Sequence, residues 1–167
     1  VANLSLVVTA VFTGIAQGLQ PLVSRSYGIG EKEDIRRLLN YAAAFVFLLS
    51  GFLYLLFFCA AEPIASVFNS EGNEKLQIIA VTGMKLYFTS IPFTGLNIIL
   101  SALFTSTEKA LPAQGISLSR GLFLILPAAF LLAQLWGMTG IWLSCPATEL
   151  IVSFVGILVL SKKTFSS

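Results

Sequence analysis

Leu38-Leu39-Asn40-Tyr41-Ala42-Ala43-Ala44-Phe45-Val46-Phe47-Leu48-Leu49-Ser50-Gly51-Phe52-Leu53-Tyr54-Leu55-Leu56-Phe57-Phe58-Cys59-Ala60-Ala61 contains no charged side chain. It exceeds the roughly 20 residues that a helix needs to cross the hydrocarbon of a bilayer. Runs such as Phe45-Val46-Phe47-Leu48-Leu49 do not alternate polar with apolar, so the stretch does not fit a strand of a lipid-facing barrel. Backbone groups in lipid must be satisfied within the segment, which leaves the α-helix.

On either side of this stretch, charges divide the chain into five such segments, A to E, at about 4–24, 38–61, 76–104, 113–135 and 138–160. Segment C is interrupted only by Lys85, and segment D carries Arg120 near its start. Composition agrees: 56% of the 167 residues are hydrophobic, 11% are charged, and mean hydropathy is +0.89. A soluble domain carries about a quarter of its residues as charges. The expected fold is all-α and integral to a membrane, with five transmembrane helices.

Lysine and arginine set the expected orientation. Arg25, Lys32, Arg36 and Arg37 lie between A and B, Lys109 between C and D, and Lys162 and Lys163 in the tail. The opposite loops hold only Lys75, so the basic loops and the C-terminus are expected in the cytoplasm of a plasma (inner) membrane protein. The amino terminus then starts outside. The chain begins at Val1 rather than methionine, without the basic flank of a signal peptide, and a helix before Val1 is expected.

Several chemistries are excluded. There is no histidine, and the one aspartate, Asp34, is in a polar loop. Serine–histidine, histidine–metal and paired-aspartate proteolysis all lack their essential side chains. No phosphate loop is present, the net charge of +2 gives no indication of nucleic acid, and no enzyme activity, cofactor or metal site is expected. Cys59 and Cys145 read as ordinary buried thiols.

Glu149 is the sharpest single feature. It lies near the middle of segment E, roughly 16 Å from either end, too deep to snorkel. An ionisable group at that depth should face the protein interior or a wet cavity and mark a path for ions or substrate. Desolvation there favours the neutral acid, which suits reversible protonation. The plainer reading is a structural glutamate bonded to a neighbouring helix. Arg120 and Lys85 can lift their charges along aliphatic stems to the interface. Arg120 can instead reach Glu149, because their depths on antiparallel helices differ by about 8 Å; that pairing would keep Glu149 ionised.

Segment C carries Ser90, Thr94, Asn97, Ser101 and Thr105 on one helical face, which can bond across helices or line a cavity. Pro92, Pro127 and Pro146 each remove a backbone bond mid-segment and can free carbonyls for a ligand. In segment A, Gly14 and Gly18 form a GxxxG face suited to close helix contact, and Gln17 and Gln20 are expected toward the interior. Tyr54, Tyr87 and Trp142 can stack on a flat cation, although interface belts account for most such residues.

A resemblance joins these pieces. Gly18-Leu19-Gln20-Pro21-Leu22-Val23-Ser24 continuing to Tyr27-Gly28-Ile29-Gly30, then Glu62-Pro63-Ile64-Ala65-Ser66-Val67-Phe68, resemble the multidrug and toxin extrusion family. So do Ser117-Leu118-Ser119-Arg120-Gly121 with Leu126-Pro127, and Gly137-Met138-Thr139-Gly140-Ile141-Trp142 with Pro146 and Glu149 after it. The likeness covers nearly the whole chain in consistent order. It implies a twelve-helix transporter of two six-helix lobes that exports cationic drugs or toxic organic compounds in exchange for protons or sodium. Residues 1–167 would be most of the C-terminal lobe, with the N-terminal lobe as the missing partner. The substrate or ion path would then involve Gln17, Gln20, Thr94, Asn97, Arg120 and Glu149. The match is imperfect: some members carry an acidic residue in the helix corresponding to segment C, where this chain has only Thr94 and Asn97. A lipid-linked saccharide flippase of the same broad class, or a non-transporting membrane module, are the competing readings.

Overall fold

Helices stop where the chain can cap them, and in this chain the charged turns supply the caps. The computed structural model describes residues 1–69 and 72–164. Helix α1 (Ala2–Gly28) runs past the apolar segment and ends in a two-bond cap, Gly30 N–H to Tyr27 C=O at 3.1 Å and Glu31 N–H to Ser26 C=O at 2.9 Å. Gly30 has φ +80°, the left-handed geometry such a cap requires. Helix α2 (Lys32–Cys59) begins six residues before Leu38, with Glu33 and Asp34 in its first turn where the helix dipole favours acids. A short helix, α3 (Ala61–Phe68), then occupies what the sequence suggests is a loop.

Segment C is a single 33-residue span, Glu74–Ser106, built in three parts. Helix α4 (Glu74–Tyr87) is N-capped by Asn73, whose side-chain oxygen accepts from Leu76 N–H at 3.2 Å. A 3₁₀ turn (Phe88–Ser90) leads into α5 (Ile91–Ser106). Pro92 explains the break: it has no N–H for the Phe88 carbonyl, which accepts from Ile91 N–H instead. The expected pool of free carbonyls is smaller than the prolines suggest. Thr89 Oγ1 donates to Leu86 C=O at 2.6 Å and Ser90 Oγ to Tyr87 C=O at 2.7 Å.

Segments D and E form α6 (Ala110–Leu118), a π turn (Ser119–Phe123) and α7 (Ile125–Thr164). The candidate span Ala110–Lys162 has 53 residues. Straight, it would reach roughly 80 Å, against about 30 Å of hydrocarbon. It folds back at Gly137, with φ 57° and ψ −132°, a conformation open only to glycine. A Cβ on Gly140 would collide with the Leu132 carbonyl, so the arms 125–136 and 138–164 touch backbone to backbone. Among the described residues, four long apolar helices thus give five crossings of a multi-pass, all-helical membrane protein.

Helix α5 is the hub. Phe12 and Val23 of α1, Val46 of α2, Phe88 before α5, and Ile91 and Ile99 of α5 itself form the fully buried core. Close approach occurs at Gly95, where a Cβ would lie 2.6 Å from Val46 and 3.2 Å from Phe12. The expected GxxxG contact is not there: nothing lies within 4 Å of a Cβ built on Gly14 or Gly18. The face presented to α5 is instead Val8, Phe12, Ala16, Leu19 and Val23. Gln17 is exposed and Gln20 half-buried in this chain. The thiols also differ from expectation: Cys59 is exposed, Cys145 is half-buried, and both are free.

Phe45, Phe47, Leu48, Phe52 and Leu55 of α2 and Phe130, Leu131 and Leu135 of α7 are exposed, as side chains facing hydrocarbon should be. Ser24 Oγ lies 3.5 Å from the Ser106 carbonyl, so the end of α1 that carries Arg25 and the turn that carries Lys109 share one end of the bundle. Val159 and Leu160 pack against the cluster containing Phe104 and Ala113, which brings the last turns of α7 to that end too.

The turn after α5 uses the same cap as α1, with Lys109 N–H to Phe104 C=O at 2.8 Å, but its left-handed residue is Glu108, φ 58°. Glu108→Gly is expected to stabilise the protein by about 1 kcal/mol, read as a higher midpoint in denaturant titration in detergent. Gly140→Ala is expected to prevent the hairpin from closing, seen as loss of monodisperse protein on size exclusion.

Candidate functional site

An ionised carboxylate in a low-dielectric interior needs donors on every lone pair that water has left. Glu149, 6% exposed, obtains them from two other segments. Arg120 Nε and Nη2 donate to Oε1 at 3.1 and 2.8 Å. Asn97 Nδ2 donates to Oε2 at 2.7 Å and to the Glu149 carbonyl at 2.9 Å. Ser153 Oγ, one turn on, donates to the same carbonyl at 2.8 Å. One side chain therefore ties α5, the π turn and α7 together. Of the two readings open for Arg120, the structure shows the one that reaches Glu149.

Local structure explains that reach. Pro127 has no N–H for the Phe123 carbonyl, and the chain just ahead of it widens into the π turn, with Leu124 N–H bonded to Ser119 C=O at 3.0 Å. Such turns insert a residue into a helix and recur at functional sites. Arg120 projects from this one. Pro146 sits three residues before Glu149 and leaves the Trp142 carbonyl without its helical donor.

Arg120 and Glu149 open onto a cavity of about 580 Å³. Thr94, Ser90 and Tyr87 from segment C, Ser5 and Thr9 from α1, Ser117 before the π turn, and Ser144, Cys145 and Trp142 from α7 contribute to its wall. Of the six residues singled out from sequence, Thr94, Arg120 and Glu149 line it together. Asn97 is fully buried behind the carboxylate, with its Oδ1 unpartnered. Gln17 and Gln20 do not line it. Lys85 is also elsewhere, with Nζ 4.9 Å above the Phe58 ring near the end of α2.

The polar stripe of segment C changes its work along its length. Ser90 and Thr94 face the cavity, Ser101 Oγ lies 3.4 Å from Ser117 Oγ in a helix–helix contact, and exposed Thr105 bonds its own helix at Ser101 C=O. Sequence reasoning missed Ser5, Thr9, Ser117 and Ser144 as wall residues. A signal was available for three of them: Ser117 is three residues from Arg120, and Ser5 and Thr9 are four apart, both helical-face spacings; Ser144, five residues from Glu149, carried none. Trp142 was a weak candidate by composition. Its indole sits over Gly83, where a Cβ would come within 2.5 Å of the ring, and its Nε1 is buried without an acceptor.

Comparisons agree with this architecture. The MatE family model matches residues 1–131. The chain is 23% identical over 154 residues to an FAD transporter of Shewanella oneidensis and 18% identical over 150 residues to the multidrug export protein MepA of Staphylococcus haemolyticus. Each alignment covers 90% of this chain but 33% and 32% of the relative, so the chain spans about a third of the length of the curated relatives it matches. In fold it is similar to the Vibrio cholerae MATE transporter VcmN in its bent form, with a TM-score of 0.90 and 21% identity over 99% of this chain and 37% of that one. A mutant structure of VcmN gives a TM-score of 0.83 at 23% identity, covering 91% of this chain and 34% of that one.

The Arg120 and Glu149 side chains are 19% and 8% exposed, so water offers little compensation for either charge alone. Arg120→Leu and Glu149→Leu are each expected to destabilise the protein by about 3–5 kcal/mol, and the double variant by clearly less than the sum. Thermal unfolding in detergent across this double-mutant cycle is the check; additive losses would mean the two charges are not coupled.

Proposed function

This chain belongs to the MatE family, and on that premise we propose that it forms most of the C-terminal lobe of a secondary active antiporter. The assembled protein would export cationic drugs and other toxic organic compounds in exchange for protons or sodium, by alternating access between two lobes. The observation that carries this reading is the polar cavity with Glu149 in its wall, within helices that otherwise hold almost no charge. Intramembrane ionisable groups facing a cavity mark paths for ions or substrates.

Glu149 is the group on which a coupling ion would act. A proton placed on its carboxylate removes the charge that holds Arg120, and with it part of the tie between α5 and the α7 hairpin. A sodium ion would have to displace the guanidinium already seated on Oε1, so the proton is the simpler coupling ion for this lobe. Seven of the ten basic residues lie at the helix ends and turn where α1 meets α2 and α5 meets α6, or near the C-terminus, which supports a cytoplasmic C-terminus in an inner membrane. The names of the relatives, an FAD transporter and multidrug exporters, support small organic cargo.

The flippase reading wants a strongly cationic cavity for a diphosphate. Of Lys85 and Arg120, only Arg120 reaches the cavity, and Glu149 neutralises it. Nothing specific favours that reading. The reading as a non-transporting module is separated from export by transport itself.

In the intact protein that carries this chain, Glu149→Gln is expected to lower drug efflux by at least roughly tenfold while leaving its amount in the membrane largely unchanged. Efflux that is unaffected by the substitution would overturn a coupling role for this lobe's carboxylate.

A further inference from the structure

A second cavity, of about 200 Å³, lies between α6, the π turn and α7 and shares no residue with the one that holds Glu149. Phe104, Ile116, Val152 and Gly156 are buried in its floor, and Gly115 and Val155 are exposed at its rim. Gly115 keeps the rim open, since nothing lies within 4 Å of a Cβ built there. Of the lining side chains only that of Ser119 can hydrogen-bond. A buried water needs about two to four polar partners, so this wall does not hold water well. Left empty, it would forfeit dispersion contacts. The fitting occupant is apolar. The volume is below the roughly 300–1,000 Å³ of pockets for compact organic ligands, and the groove follows α7 from Val152 to Val159, roughly 10 Å. That shape suits part of an acyl chain lying along the helices.

Charge at one end of the groove identifies the rest of the occupant. Lys109 directly precedes α6, and its N–H is bonded to the carbonyl of Phe104 in the floor. Lys162 stands three residues beyond Val159, on the face of α7 that carries Val155 and Val159. Among the described residues, neither lysine has a salt-bridge partner. The first N–H groups of α6 lack intrahelical acceptors and add to the attraction for an anion. Glu108 opposes it from the same turn, which leaves two cations against one acid. We propose that this groove binds an anionic phospholipid of the leaflet at that end, with one acyl chain between α6 and α7 and the phosphate held by Lys109 and Lys162. Lysines at a membrane surface attract anionic headgroups, and the groove adds a fixed seat for the chain that loosely associated lipid lacks. The site is separate from the Arg120–Glu149 cavity and does not depend on what that cavity carries.

The test presents the intact protein that carries this chain, in detergent, with equimolar dioleoylphosphatidylglycerol and dioleoylphosphatidylcholine, and counts retained lipid by native mass spectrometry. Phosphatidylglycerol is expected to be retained at least about fivefold more than phosphatidylcholine. The double variant Lys109→Gln/Lys162→Gln is expected to bring the two lipids to near parity, because it removes the headgroup contact and leaves the groove. Gly115→Leu, which fills the groove at its open rim, is expected to lower retention of both lipids. Equal retention of the two lipids by the wild-type protein overturns the proposal. So does a preference for phosphatidylglycerol that survives in the lysine variant. Retention that Gly115→Leu leaves unchanged would mean that the groove is covered by another part of the protein, and this too overturns it. If Gly115→Leu does not fold, the wild-type ranking and the lysine variant, altered only at the protein surface, still decide the matter.

Discussion

A carboxylate placed in hydrocarbon has to be answered by the protein itself, and the rest of this structure is arranged around that requirement at Glu149. Its two oxygens and its own carbonyl draw Asn97 from α5, Arg120 from the π turn and Ser153 from the next turn of α7. Helix α5, the hub of the apolar core, is thereby joined to the hairpin by polar bonds as well as by packing. An ion pair of this kind adds little net stability over a well-packed apolar substitute. Its presence is better understood through what it shows the cavity than through what it adds to the fold.

Backbone irregularity is concentrated around the same place. Pro92 breaks segment C beside Ser90 and Thr94, Pro127 follows the π turn that carries Arg120, and Pro146 precedes Glu149 by less than one turn. In lipid such breaks survive only where protein or a water-filled cavity covers the altered backbone. Here hydroxyls cover part of it, as Thr89 and Ser90 do for Leu86 and Tyr87. The opposite pattern holds on α2, which is unbroken for 28 residues and exposes Phe45, Leu48 and Phe52. Regular helix faces lipid, and irregular helix faces the cavity.

The number and order of crossings were legible from charge and length, because a long uncharged run in lipid has only one stable form. The reversal at Gly137 falls in the gap between the expected segments D and E, and depth counting brought Arg120 within reach of Glu149. Helical periodicity alone did not show which face of α1 meets the bundle. Gly14 and Gly18 look like a contact motif, yet the neighbours meet Val8, Phe12 and Leu19 instead. The same limit leaves the surroundings of Gln17 and Gln20 open, since an amide's cost in lipid says nothing about which surface shelters it. Asn97 and Thr94 were found by the stripe. Behind the difference is a physical distinction: burial of one residue is a local matter, whereas the identity of its neighbour depends on the whole bundle.

The hairpin has no linker, since Gly140 lies against the Leu132 carbonyl within a turn of the reversal. The two arms are consequently a single unit for membrane integration and enter the bilayer as a helical pair. Each of Arg120 and Glu149, if presented on its own at the centre of a helix, would cost about 2.5–3.5 kcal/mol on insertion. Matched across the arms they enter as a neutral couple. Arg120, in the π turn ahead of the first arm, thus has its counterion 29 residues later in the chain, and its charge is matched only once the second arm is in place.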